Sequence, residues 1–237
     1  MANGTPPDHD ELLATGEVEL VARLPYSSNN AFLAEVHAGG TTVTAVYKPA
    51  RGERPLHDFP PGLYRREVAT RLLASALGWD LVPPTVLRTD APLGEGSLQL
   101  FVDHDPDEHY FVQRDDPALH DQLLRMAVFD LVANSADRKG GHLVLDADRH
   151  LWGIDNGLTF HAQFKLRTVV WDFAGQPVPT ALLDDLAPLV GGDVPDVLAD
   201  LLDPFERDAL VARARAVAHA GVLPHDPSGQ RWPWPPV

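Results

Sequence analysis

Asn134-Ser135-Ala136-Asp137-Arg138-Lys139-Gly140-Gly141-His142 opens a stretch that continues as Leu143-Val144-Leu145, Asp146–Arg149, Leu151-Trp152-Gly153-Ile154 and Asp155-Asn156-Gly157-Leu158-Thr159-Phe160. A polar loop rich in glycine is followed by two short apolar runs around a turn. The pattern predicts strands over His142–Leu145 and Leu151–Ile154, with Asp146 and Asp148 supplying the hairpin turn. One aspartate, Asp137, lies in the loop; another, Asp155, follows the second strand.

Working outward, residues Pro117 to Asn134 read as the strongest helix in the chain. Leu119, Leu123, Ala127 and Leu131 form one i, i+4 stripe, and Pro117 suits an opening turn. The segment Asp103 to Asp116 holds six acids and one arginine, and a lobe boundary is expected near it. Before it come predicted strands at Val18–Leu24, Ala31–Val36, Thr41–Lys48, Thr85–Arg88 and Ser97–Val102, with Gly39-Gly40 as a hairpin signal. An amphipathic helix over Leu63–Leu77, stopped by Gly78, is inserted among them. Beyond Asp155 the chain is loop-rich to Pro179. Helices are expected at Thr180–Leu189, Pro195–Leu202 and Pro204–Ala220, and the Pro/Trp tail from Leu223 is expected to pack its rings along the body. The sum is an α+β protein of two lobes. Residues 1–102 form an antiparallel sheet plus one helix; residues 103–237 form a mainly helical lobe, with a cleft between.

Composition narrows the function. The 237 residues carry a net charge of −15, and 44% are hydrophobic. The acid excess argues against coating nucleic acid or lying on an anionic membrane. No apolar run approaches the length that spans a bilayer, so no stable membrane insertion is expected. The absence of cysteine excludes disulfide frameworks and thiolate chemistry. The polar, acidic first fifteen residues do not read as a secretory signal, so a cytoplasmic location is the expectation.

Transfer of a phosphoryl group from ATP needs positive charge on the phosphates, metal held by carboxylate and a group that orients the nucleophile. Lys48, ending a strand, and Glu67, early in the next helix, have the elements for a lysine kept charged by a neighbouring acid. Asp155 is suited to bind Mg²⁺. Asp137 is suited to receive or orient the proton of an attacking hydroxyl.

Asn134-Ser135-Ala136-Asp137-Arg138 with Gly153-Ile154-Asp155-Asn156-Gly157-Leu158-Thr159-Phe160 resembles the catalytic and metal-binding segments of the phosphatidylinositol 3-/4-kinase-like kinases. The Asp-Arg pair and the Ile-Asp-Asn-Gly-Leu run are similar to the type II phosphatidylinositol 4-kinases in particular, and to small bacterial kinase-like relatives of that group. The resemblance spans about residues 17–175. It implies a protein-kinase-like fold with ATP and Mg²⁺ or Mn²⁺ between the lobes. Asp137 would be the catalytic aspartate, Asp155 the metal aspartate, Lys48 the phosphate lysine and Glu67 its partner. Backbone groups near Phe101 and Val102 would meet adenine.

Two departures from that pattern matter. His142 stands where such kinases carry a metal-binding asparagine. It reads as a metal ligand favouring Mn²⁺, or else as a histidine hydrogen-bonded inside the loop. The phosphate-covering loop is Tyr26-Ser27-Ser28-Asn29-Asn30 in place of a glycine-rich run, with Ser27, Ser28, Asn29 and Asn30 offering hydroxyl, amide and backbone donors. Asp130 is expected to accept hydrogen bonds from the catalytic loop, and His161, Lys165 and Arg167 follow the metal aspartate where they would face an anionic acceptor. The favoured reading is a phosphotransferase acting on a soluble hydroxyl acceptor, a protein or small polyol, or on itself. A nucleotide-binding pseudokinase and a metal-dependent phosphohydrolase are the alternatives.

Overall fold

The computed structural model describes residues 8–25 and 30–237. Helix α1 (His9–Thr15) precedes strands β1 (Glu17–Arg23), β2 (Phe32–Ala38) and β3 (Thr41–Pro49); then come helix α2 (Leu63–Ala76) and strands β4 (Thr85–Arg88) and β5 (Gly96–Leu100). They form one antiparallel sheet in the order β1-β2-β3-β5-β4. Along β3 the side chains alternate. Ala45 and Tyr47 are buried with Leu12, Leu13, Ala34, Val36 and Leu98 in a core between the sheet and α1. The opposite face carries Val46 and Lys48, so the period of two aims the lysine away from that core.

Helix α3 (Tyr110–Gln113) leads to α4 (His120–Ala133), hairpin strands β6 (Leu143–Leu145) and β7 (Leu151–Gly153), and helices α5 (Thr180–Asp185), α6 (Ala187–Gly191) and α7 (Pro204–Ala220). Their apolar faces share a second, larger core built on Leu123, Val128, Phe129, Val132, Leu210 and Ala214. The rear of α2, through Ala69, Leu73 and Ala74, packs into this second core as well. The fold is thus α+β, with a sheet-bearing half and a helical half, as expected.

Some expectations are corrected. Residues His9–Thr15, where no element was expected, form α1, opened by Asp8 accepting from the Asp10 N–H. Residues 180–189 divide at Leu186 into α5 and α6, and residues 195–202 hold only a single 3₁₀ turn at Asp196–Leu198. Pro117–Leu119 is likewise a 3₁₀ turn, and α4 ends at Ala133 because Asn134 turns left-handed (φ 60°). In the tail Pro233 is buried and Trp232 is 40% exposed, while Trp234 is 88% exposed, so that last tryptophan does not pack along the body as expected.

Candidate functional site

Lys48 is the hub. Its Nζ pairs with Glu67 Oε1 from α2 and lies 2.8 Å from Asp155 Oδ1. Glu67 is buried and its other oxygen accepts the Asn156 N–H at 2.8 Å, so the helix is pinned to the segment behind Asp155. The Asp155 side chain is 56% exposed, which turns it toward open space while Glu67 stays enclosed. Burial works against charge on the Lys48 amine, but Asp155 and Glu67 outweigh it and raise its pKa above the ordinary value. The Asp155 carboxyl is held well below the usual range, chiefly by Lys48.

Asp137 faces the same cavity of about 310 Å³, together with Asn30, Lys48, Glu67 and Asp155. Burial, aided by the charge of Asp155, raises its pKa to about 6 against the pull of Lys139, whose Nζ is 3.5 Å from Asp137 Oδ2. An adjoining cavity of about 340 Å³ shares Lys48 and Asp155 and continues past Leu24, Val46, Phe101, Val102 and His142 to Ile154. It is a largely apolar pocket lined from both halves of the chain.

The loop carrying Asp137 is braced from beneath. Arg138 is fully buried: its Nε donates to Asp130 Oδ1 at 3.1 Å, Nη1 to the Ile154 carbonyl at 2.9 Å and Nη2 to Asn156 Oδ1 at 2.7 Å. Asp130 also accepts from the Thr168 hydroxyl at 3.0 Å, so it supports the loop as expected. Asp155 itself adopts a left-handed backbone (φ 55°), a conformation open to aspartate. Gly153, two residues before it, is closely packed: a Cβ would fall 2.8 Å from Met126 Cε, so the end of that methionine would have to shift.

The structure therefore brings Lys48, Glu67, Asp137 and Asp155 together, with Asn30 on the rim of their cavity. The Asn30 amide oxygen accepts from Arg23 Nη2 at 2.6 Å, so its carbonyl is engaged within the protein. Ser27, Ser28 and Asn29 lie outside the described residues. Phe101 and Val102 line the adjoining pocket, but the Phe101 N–H donates to the Thr44 carbonyl at 3.0 Å and the Val102 carbonyl meets His104 Nδ1 at 2.8 Å. His142 places Nε2 3.4 Å from Asp155 Oδ2, while Nδ1 accepts the Lys139 N–H at 3.4 Å. Burial lowers its pKa to about 4, so the ring is neutral at pH 7. Farther out, Lys165 pairs with Asp58 at 3.5 Å and the Arg167 Nε donates to the Ala136 carbonyl at 2.7 Å, tying that basic segment to the protein itself.

Sequence reasoning overlooked Arg138 and Asn156 as supports, and Lys139 as the cation beside Asp137. The adjacency of Arg138 and Lys139 to Asp137 was the available signal. It also overlooked Glu53, whose carboxylate accepts the Gly62 and Tyr64 N–H groups at 2.9 and 2.7 Å and so caps the start of α2.

A divalent cation fits the chemistry of these donors. Among the described residues no three His, Asp or Glu side chains gather into a metal cage. Asp155 offers hard carboxylate oxygen into open space, the kind of protein ligand that Mg²⁺ takes once or twice while phosphate and water fill its other positions.

No protein-family profile matches the chain. Protein Rv2133c of Mycobacterium tuberculosis is 38% identical over 270 aligned positions, covering 96% of this chain and 95% of that protein. Among solved structures, the crystal structure of the proinflammatory kinase CtkA of Helicobacter pylori superposes with a TM-score of 0.47 at 12% identity, over 89% of this chain and 94% of CtkA.

Proposed function

We propose that this chain, which belongs to the family of protein Rv2133c of Mycobacterium tuberculosis, is an ATP- and divalent-metal-dependent phosphotransferase acting on a hydroxyl acceptor. The observation that carries the reading is the Lys48 ammonium set between enclosed Glu67 and exposed Asp155, with Asp137 across the same cavity.

In this reading the adenine ring enters the pocket beside Val46 and Ile154, and the phosphates reach Lys48. Glu67 keeps the lysine charged and in place while its contact with Asp155 gives way to phosphate oxygens. Asp155 would hold Mg²⁺ or Mn²⁺; His142 Nε2 would join it as a second ligand only with the ring proton on Nδ1, which requires giving up the bond that Nδ1 accepts from the Lys139 N–H. The ion, when bound, would offset charge on the phosphates. Asp137 accepts the proton of the acceptor hydroxyl as its oxygen forms a bond to the γ-phosphorus. The bond from that phosphorus to the bridging oxygen breaks, and ADP leaves. A pKa of about 6 leaves Asp137 mostly ionised at pH 7 yet basic enough for the task. The net charge of −15 favours a soluble acceptor, a protein or small polyol, over an anionic membrane surface. Among the described residues no helix is long and apolar enough to cross a membrane.

The test is incubation of the purified chain with γ-labelled ATP, Mg²⁺ or Mn²⁺ and a cell extract, followed by mass spectrometry for products that gain phosphate. Transfer that vanishes in Asp155→Ala supports the reading. Metal-dependent ATP binding without transfer to any acceptor, water or the chain itself would favour a nucleotide-binding regulator, the outcome suggested by the hydrogen-bonded His142. Release of inorganic phosphate from non-nucleotide substrates would favour the phosphohydrolase.

A further inference from the structure

Between β3 and α2 the chain reaches across from the sheet-bearing half to the helical half. Residues 50–62 meet the segments that carry Asp137 and Asp155: Phe59 is buried with Leu63 and Ala136, and Leu158 packs against them. The Phe59 ring lies 5.1 Å from that of His161, and Asp58 pairs with Lys165 at 3.5 Å. Both ends of the segment are fastened as well. The Asn30 N–H donates to the Gly52 carbonyl at 3.2 Å, and Glu53 accepts the Gly62 and Tyr64 N–H groups at 2.9 and 2.7 Å. Pro55, Pro60 and Pro61 fix backbone angles between these anchors. The segment is a braced bridge. Its Leu56 joins Pro49, Leu63 and Leu158 in the wall of the cavity of about 310 Å³ that Asp137 faces. A cavity of about 340 Å³ adjoins it within the bridge, sharing Leu56 and Leu63 and reaching Ala50, Pro55 and Phe59.

The bridge governs what can present a hydroxyl to Asp137. A serine or threonine hydroxyl hangs on Cβ, so a protein acceptor must bring its main chain close to the transfer site. Its flanking residues then need a passage on both sides, about 3.3 Å of chain for each. Beside Ala136 and Leu158 that space is taken by the chain's own Phe59. A small molecule needs no passage, and the Asp137 cavity falls within the range of small-molecule sites, roughly 300–1,000 Å³. We propose that the phosphoacceptor is a free small-molecule alcohol taken into the cavity beneath the bridge, and that protein side chains are excluded. Its hydroxyl gives its proton to Asp137 while its oxygen bonds to the γ-phosphorus of ATP. ADP departs with the electron pair of the broken bridging bond, and a phosphate monoester is formed. The inference rests on the phosphotransferase reading and narrows its acceptor.

The test divides a cell extract by ultrafiltration into a protein fraction and a small-molecule filtrate. Each is incubated with the full chain, γ-labelled ATP and Mn²⁺. Label is expected on a filtrate compound other than inorganic phosphate, and on no protein. Leu56→Trp, at a position 40% exposed, is expected to cut that transfer at least tenfold by filling the cavity. The rise in unfolding midpoint given by ATP with Mn²⁺ should survive in this variant, because the nucleotide enters from the other side of Lys48. Label on proteins, this chain included, or label released only as inorganic phosphate would overturn the inference while metal-dependent use of ATP stands. Undiminished transfer by a folded Leu56→Trp would overturn it too, and if that variant does not fold, the two fractions still decide. No label in either fraction, with ATP left intact, would instead end the phosphotransferase reading and the inference with it.

Discussion

Lys48 stands between two carboxylates of unlike exposure, and the difference assigns them different fates. Glu67 is enclosed and fixed by the Asn156 N–H, which holds it beside the lysine; Asp155 is open to the cavity and, on the proposed reading, would exchange the lysine for another cation. Lys48→Met should therefore leave Glu67 a buried, unpaired acid and weaken the grip on phosphate. The expected result is an ATP KM at least tenfold higher in a nucleotide titration, with a lower unfolding midpoint. Asp137 carries a separate signature. Its carboxyl accepts a proton only when ionised, so kcat should fall tenfold per pH unit below about pH 6 and level off above it. Asp137→Asn should cost about 10²- to 10⁴-fold in transfer, the range for a general base, and should erase that acid limb while ATP binding persists. A variant that keeps the same pH profile would remove Asp137 from proton transfer.

The helix that supplies Glu67 is held in place by its polar face. Arg66 pairs with Glu206 at the start of α7, both nearly solvent-free, and lies 5.4 Å from the centre of the Phe59 ring; the Thr70 hydroxyl is 3.1 Å from that of Thr159. Removing one partner from a buried ion pair strands the other, which typically costs about 3–5 kcal/mol. Arg66→Met should lose about that much in denaturant unfolding, and Glu206→Gln less, because the amide oxygen still accepts. These contacts explain what the sequence concealed. The alternation of Thr41–Lys48 and the apolar stripe of α4 were readable because each element has a single packed face. In α2 Glu67 was legible as the partner of Lys48, but nothing local announced the burial of Arg66, Glu67 and Thr70, which depends on partners 140, 89 and 89 positions away. Short elements were hidden for a different reason. α1 and α3 have too few turns to show a period, and the break at Leu186 lies two residues before Pro188, which has no N–H for the Asp184 carbonyl, a local signal the apolar pattern overrode. The Asp137 and Asp155 segments were legible because each is a short contiguous run, whereas the Arg138 brace depends on atoms that meet only after folding.

At the scale of the whole molecule, the proposed function asks an excess of acid to receive a polyphosphate. The chain carries −15 overall, and the cavity wall repeats the bias, with Glu53, Glu67, Asp137 and Asp155 against Lys48 and Arg54. ATP alone brings further negative charge into a space already rich in it, and at separations of a few ångströms that repulsion is worth kilocalories even where the effective dielectric is high. A divalent cation changes the sign of the encounter by standing between Asp155 and the phosphates. The nucleotide and the ion should therefore stabilise the fold together and hardly at all apart. With the metal–nucleotide complex at a hundred times its Kd, mass action adds about 2.7 kcal/mol. For a chain of this length that corresponds to roughly 5–10 °C in the unfolding midpoint. Differential scanning fluorimetry with ATP, with Mn²⁺ and with both should show the rise only for the pair, and Asp155→Ala should flatten it. A shift of equal size with ATP and chelator would mean that nucleotide binds without the carboxylate-held ion, and the charge argument would fail with it.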